Sequence, residues 1–189
     1  MKELTILMVI LISVFVYINF IRKNLYLDLV KSDINNKEYY VRKLPDAKQA
    51  ADRLAKLTID LKKLIEHVKN KDKEDVDKLV SKFNSDIITE NIPGSTHVAY
   101  SVNKGDELSI CIREKETENF IDHNTIIFVA IHELAHIMSE STGHTPEFWN
   151  NMKYLLENAI EIGVYNYVDY SNHPIIYCGQ EINSTPLDL

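Results

Sequence analysis

Cysteine, glycine and proline are all scarce in this sequence, and each shortage excludes something. Two cysteines, Cys111 and Cys178, stand in 189 residues, too few for a disulfide framework in a chain long enough to bury a core without one. They read as two buried thiols. A single bridge between them and a zinc-ligand role for Cys178 are the alternatives. Five glycines and five prolines argue against a low-complexity, disordered chain. Basic residues are outnumbered, 21 Lys and Arg against 28 Asp and Glu, for a formal net charge of −7. That balance argues against a general affinity for nucleic-acid phosphates, so no nucleic-acid partner is expected. What remains is ordinary for a folded protein, 45% apolar and 26% charged, at a length that suits one domain.

Charge is also missing from the first part of the chain. Leu4 to Ile21 reads LTILMVILISVFVYINFI, interrupted only by Thr5, Ser13, Tyr17 and Asn19. Eighteen residues of helix span about 27 Å, close to the thickness of a hydrocarbon core. The run ends in Asn19-Phe20-Ile21-Arg22-Lys23 without a small-residue cleavage site, which predicts a retained anchor rather than a cleaved signal. Arg22, Lys23, Lys31 and Lys37 on its far side outweigh Lys2 and the α-amino group, which predicts a domain on the cytosolic side. Asn183-Ser184-Thr185 is a glycosylation sequon that would matter only in a luminal domain. Three segments follow: an anchor over residues 1–22, a juxtamembrane linker with a short strand, Tyr39 to Arg42, over 23–45, and a folded domain over 46–189.

In that domain, Pro45 and Asp46 open a helix with apolar residues at Ala47, Ala50, Ala51, Leu54, Leu57, Leu61, Leu64, Ile65 and Val68, the spacing of one buried stripe. A shorter helix carries Val76, Leu79, Val80 and Phe83. Two strands are predicted over His97 to Val102 and Glu107 to Arg113, joined by Asn103-Lys104-Gly105-Asp106. The fold class is therefore α+β, mostly helical with a small antiparallel sheet, behind one N-terminal transmembrane helix. Tyr170 to Leu189 reads as loop.

The segment that carries chemistry is His132-Glu133-Leu134-Ala135-His136. Ile126 to Met138 is almost continuously apolar apart from this motif, with Asp122, Asn124 and Thr125 as helix starters. On a helix, His132 and His136 share one face and can grip one metal ion, while Glu133 can reach a water beside it. Burying these groups without partners is costly, and a metal resolves the cost. The bland alternative is a pair of core histidines hydrogen-bonded to neighbours. A catalytic zinc takes three protein ligands and leaves a fourth position open. Gly143 can end the motif helix, Thr145 reads as an N-cap and Pro146 as a first helical residue. His144 thus sits at the corner between two packed helices and is the candidate third ligand. Glu157, followed by Glu161 on the next helix, is its rival.

The stretch His132 to Trp149, HELAHIMSESTGHTPEFW, resembles the zincin metallopeptidases of the WLM (Wss1-like) and SprT-like type. There, HExxH is followed after a short loop by His and then Phe or Trp on the next helix. Similar single-domain, membrane-anchored forms occur in large DNA viruses, which suits the Ile-, Asn- and Lys-rich composition. The resemblance covers residues 38 to 165 and implies a zincin-like fold for 46–189. It also implies Zn2+ held by His132, His136 and His144, Glu133 as general base, and Glu107 to Ile112 as the edge strand on which an extended peptide pairs. The DNA-repair roles of some relatives depend on nucleic-acid- and ubiquitin-like-protein-binding segments not recognised in these residues.

The expected function is zinc-dependent endopeptidase activity on polypeptide substrates at a membrane, viral or internal to a host. Tyr165, Tyr167, Tyr170 and His173 are candidates, by residue type only, for the donor that steadies the oxyanion. An inactive zincin-fold scaffold at the membrane is the alternative, disfavoured by the intact Glu133. A zinc hydrolase acting on another bond is a third.

Overall fold

The computed structural model describes residues 5–11, 14, 24–71, 73, 75–93, 99–102 and 107–188. The apolar stripe that predicts the first helix is realised in α1, Ala47–Lys69, which buries Ala50, Ala51, Leu54, Leu57, Leu61, Leu64, Ile65 and Val68 along one side. The short α2 is Val76–Lys82. The motif helix, α3, is His123–Met138. Asp122 caps it by accepting a hydrogen bond from the Thr125 amide at 3.1 Å, which satisfies one of the donors a helix start leaves open. Of its 16 residues only His123, Asn124, His132 and His136 escape full burial. The two motif histidines are therefore the opening in an otherwise enclosed helix. The amphipathic α4, Pro146–Glu161, packs beside it through Phe148, Met152, Leu155, Leu156 and Ala159.

The central sheet has the order β3 (Ile88–Glu90), β5 (Glu107–Ile110), β4 (Ala99–Val102). It is mixed: β3 runs parallel to β5 and β4 antiparallel to it. Two corrections to the expected sheet follow. It is not purely antiparallel, and β5 is the middle strand, so among the described residues the edges of this sheet are β3 and β4. Within the stretch read as linker, Leu27–Lys31 form β1, paired with β2 (Glu38–Arg42). Tyr39 and Val41 point inward and Glu38 outward, the period of two that packs one strand face on the core.

A buried ion network fixes the end of β5 to its surroundings. The Arg113 side chain, 2% exposed, donates from Nε to Glu90 at 2.8 Å and from both Nη atoms to Asp46 at 2.7 Å. The guanidinium also lies 4.1 Å over the Phe120 ring. A buried charge is tolerable only when so fully paired. The Asp46 carboxylate is thereby committed to Arg113. That hydrogen bond, more than any other influence, holds its pKa below the usual carboxylate range, and its side chain makes no capping bond to α1.

The tail expected to be loop contains the hairpin β6 (Ile175–Tyr177) and β7 (Gln180–Ile182). Its turn is Cys178-Gly179, both at positive φ, 49° and 84°, the backbone that a two-residue hairpin turn requires. This turn carries Cys178 to Cys111 just beyond β5, and the two form a disulfide with Cα atoms 6.6 Å apart. The reading of two buried thiols, and of Cys178 as a zinc ligand, is thus overturned. The partners are 67 residues apart, and only the hairpin brings them together.

The expected anchor over Leu4 to Ile21 falls largely outside the described residues. Of that stretch, residues 5–11 and 14 are described; they are helical, with Ile6 to Leu11 and Val14 exposed. No helix among the described residues is long and apolar enough to cross a membrane.

Candidate metal centre

One helical turn separates His132 from His136, and their Nε2 atoms lie 3.2 Å apart. His144 comes from the connection between α3 and α4 and brings its own Nε2 to 3.1 Å from that of His132. The three ring nitrogens form one group with all members within 4.8 Å. Three imidazole nitrogens gathered this closely form a donor set that one ion can bind. Two nitrogens bound to a tetrahedral zinc lie about 3.3 Å apart, so the donor set and its spacing fit a metal ion. Burial, then the neighbouring His136 and His144, push the His132 pKa down to about 3. It is therefore neutral, the form that ligates metals.

The rings rest on Phe148, itself fully buried, whose centroid is 4.8 Å from His132, 4.3 Å from His136 and 4.8 Å from His144. Trp149 stacks on the His144 ring at 5.5 Å. Glu157 is exposed on α4 and outside the histidine group.

The chain reaches His144 by a route that differs in detail from the expected one. The motif helix stops at Ser139 rather than Gly143, because Ser139 turns extended and its hydroxyl donates to the Ala135 carbonyl at 2.7 Å. Asn151 on α4 donates to that hydroxyl at 3.1 Å. Gly143 still adopts a positive φ of 84°, turning the chain just before His144. Thr145 caps α4 as expected, accepting from the Phe148 amide at 3.4 Å, with Pro146 following. The Glu147 carboxylate reaches back to accept from the Glu140 amide at 2.6 Å and the Ser141 amide at 3.0 Å, and from the Ser141 hydroxyl. The Ser141 hydroxyl, then the two amides, pull its pKa down to about 2.

Glu133, 8% exposed, opens with His132 onto a cleft of about 220 Å³. Phe128, Val129, Met152 and Trp149 form one wall, Tyr177 and the chain from Gln180 to Ser184 another, and Ala99 of β4 borders it. The Tyr177 hydroxyl donates to the Cys111 carbonyl at 2.6 Å. Burial first, then the Glu133 charge, push its pKa up. The residues suggested as oxyanion donors are elsewhere. Tyr165 and Tyr170 are buried against Phe128, at 6.0 and 4.8 Å between centroids. Tyr167 donates to Asp188, and His173 is exposed. Tyr177 and Glu147 were missed. The alternation of Ile175, Tyr177 and Ile182 about a Cys-Gly turn was the available signal for the first, and Glu147 two residues after an N-cap for the second.

The chain is similar to known proteins. Residues 35–181 match the family model of the WLM domain. The chain is 32% identical over 164 residues to the uncharacterised protein R325 of Acanthamoeba polyphaga mimivirus, covering 82% of this chain and 81% of that protein. It is 36% identical over 70 residues to the uncharacterised protein 136R of Invertebrate iridescent virus 6, spanning 36% of this chain and 39% of that one. Both relatives come from large DNA viruses, the context the resemblance implied. Among solved structures, Wss1 from Saccharomyces cerevisiae matches with a TM-score of 0.51 at 17% identity, over 65% of this chain and 87% of that chain, a likeness of fold. The family model and the mimivirus relative each span most of this sequence, and the chain belongs to the WLM domain family, in general a family of metalloproteases.

Proposed function

We propose that the chain is a zinc-dependent endopeptidase held at a membrane by its N-terminal apolar stretch. The observation that carries the reading is the grouping of the His132, His136 and His144 nitrogens, with His132 and Glu133 both lining one open cleft. His132, His136 and His144 would hold a zinc ion, which when bound would supply Lewis-acid polarisation of a scissile carbonyl and lower the pKa of a water to about 7. The Glu133 carboxylate then accepts a proton from the attacking water and returns it to the leaving amine. The hairpin wall and the Phe128, Val129 and Met152 wall confine the substrate and thin the solvent around that carboxylate. An extended peptide adds to β4, the edge strand whose Ala99 borders the cleft, so main-chain hydrogen bonds align the substrate while the apolar wall takes a side chain.

The anchor is supported by the exposed apolar residues Ile6 to Leu11 and Val14. Arg22 and Lys23 favour a cytosolic domain. The acidic balance of the chain supports polypeptide rather than nucleic acid as substrate.

The test is metal analysis of the purified protein with a casein or peptide-library digest, with and without chelator. Stoichiometric zinc and chelator-sensitive cleavage are expected. Bound zinc with no cleavage of any peptide would leave a zincin-fold scaffold in place of the enzyme.

A further inference from the structure

Two of the three histidines stand on a buried helix, but His144 is itself exposed, on the connection of residues 140–145. Something must hold that connection if the third nitrogen is to meet the other two. The geometry points to Glu147 as a positioning residue for the metal centre: its carboxylate clasps residues 140 and 141 to the first turn of α4, and thereby holds His144 over His132 and His136. This rests on the zinc reading above and adds to it a residue that touches neither metal nor substrate.

The clasp closes a small ring of chain. The two Glu147 oxygens accept from the Glu140 amide, the Ser141 amide and the Ser141 hydroxyl. The same Ser141 hydroxyl lies 2.6 Å from that of Thr145, the cap of α4. Glu140 and Ser141 begin the connection and Thr145 and Glu147 end it, with Gly143 and His144 between. Both ends of the His144 segment are thus tied to one carboxylate and one hydroxyl. The remaining freedom of the His144 ring is limited by Trp149, stacked on it at 5.5 Å. A ligand prepositioned in this way loses less conformational freedom when the ion arrives, and affinity rises by that saving. Charge-assisted hydrogen bonds to a carboxylate are roughly twice as strong as neutral ones, so Gln at this position is a poor substitute. Its amide would also turn a donor toward groups that are themselves donors.

A simpler role competes: an acid in the first turn of a helix stabilises that helix through its dipole, and α4 carries the Phe148 floor. The two roles separate in a double-mutant cycle. Zinc affinity is measured by chelator competition for the wild type, Glu147→Gln, Glu147→Ala, His144→Ala and the double variant Glu147→Gln/His144→Ala, with circular dichroism to establish that each is folded. Both Glu147 variants are expected to bind zinc about tenfold or more weakly, the range seen when the supports of metal ligands are removed. In the His144→Ala background, Glu147→Gln is expected to change nothing further, because the ligand it positions is gone. Wild-type affinity in both Glu147 variants overturns the proposal. So does an equal loss in both backgrounds, which assigns Glu147 to helix stability alone. A wild type that takes up no zinc fails earlier, and overturns the metal reading itself.

Discussion

Tyr177 and Cys111 are joined twice: the Tyr177 hydroxyl donates to the Cys111 carbonyl at 2.6 Å, and the residue after Tyr177 is bridged to Cys111 by the disulfide. One spot beyond β5 therefore fixes the whole β6–β7 hairpin, and the hairpin forms a wall of the cleft that holds Glu133. Chain-entropy arguments put the stabilisation from closing a 67-residue loop at about 4 kcal/mol. The Cys178→Ala variant, or the wild type in reductant, is expected to unfold at a correspondingly lower denaturant midpoint. An unchanged midpoint would mean that the bridge constrains nothing. Thiol alkylation in freshly opened cells reads its state in place. A persistent bridge favours an oxidising compartment over the cytosolic side that Arg22 and Lys23 suggest.

Glu133→Gln keeps the shape of the side chain and removes its basicity. Hydrolysis is expected to fall by at least about 100-fold, while zinc content stays at the wild-type level because Glu133 is not one of the three converging residues. Peptide turnover and metal analysis on the same sample check both halves. Full activity would remove Glu133 from the chemistry, and lost zinc would make it a ligand.

Phe148 supports all three rings and is fully buried. Truncation to Ala opens a cavity and is expected to destabilise the protein by about 3–5 kcal/mol. Phe148→Leu keeps most of the volume but not the flat ring. It should retain most of the stability while weakening zinc binding, read by thermal denaturation of the metal-free protein and by chelator competition. Equal zinc affinity in Phe148→Leu and wild type would reduce the floor to simple packing.

How much of this was legible in sequence follows from how local each feature is. The stripe of α1, the cap at Asp122, and the pair His132 and His136 depend on residues within one or two turns of each other, and periodicity finds them. His144 was reachable because Gly143, Thr145 and Pro146 flank it with turn and cap chemistry. The failures are all long-range. Which of β3, β4 and β5 lies in the middle depends on pairing Ile88 with Leu108, and nothing near either residue encodes that. β1 carries only five residues of weak pattern, with its inward Leu27, and becomes a strand because β2 lies beside it. Cys178 meets Cys111 only after two strands of tail have folded back. The helix end moved from Gly143 to Ser139 because Asn151, on another helix, holds the Ser139 hydroxyl.

The Glu147 clasp also predicts a pH dependence with a definite sign. Its folded pKa, about 2, lies below the ordinary 4.5, with Ser141 and the two amides favouring the ionised form. A depressed carboxylate contributes stability that is fully present above its unfolded pKa and is lost as pH falls through the folded one. The difference in melting temperature between metal-free wild type and Glu147→Gln should therefore be constant from neutral pH down to about 5, then shrink between about 4.5 and 2. Glu147 is only half-buried, so salt should narrow the difference at neutral pH as well. A gap that widens on acidification would mean that Glu147 is protonated, not ionised, when it holds the Ser141 hydroxyl. The clasp would then be a weaker, neutral contact.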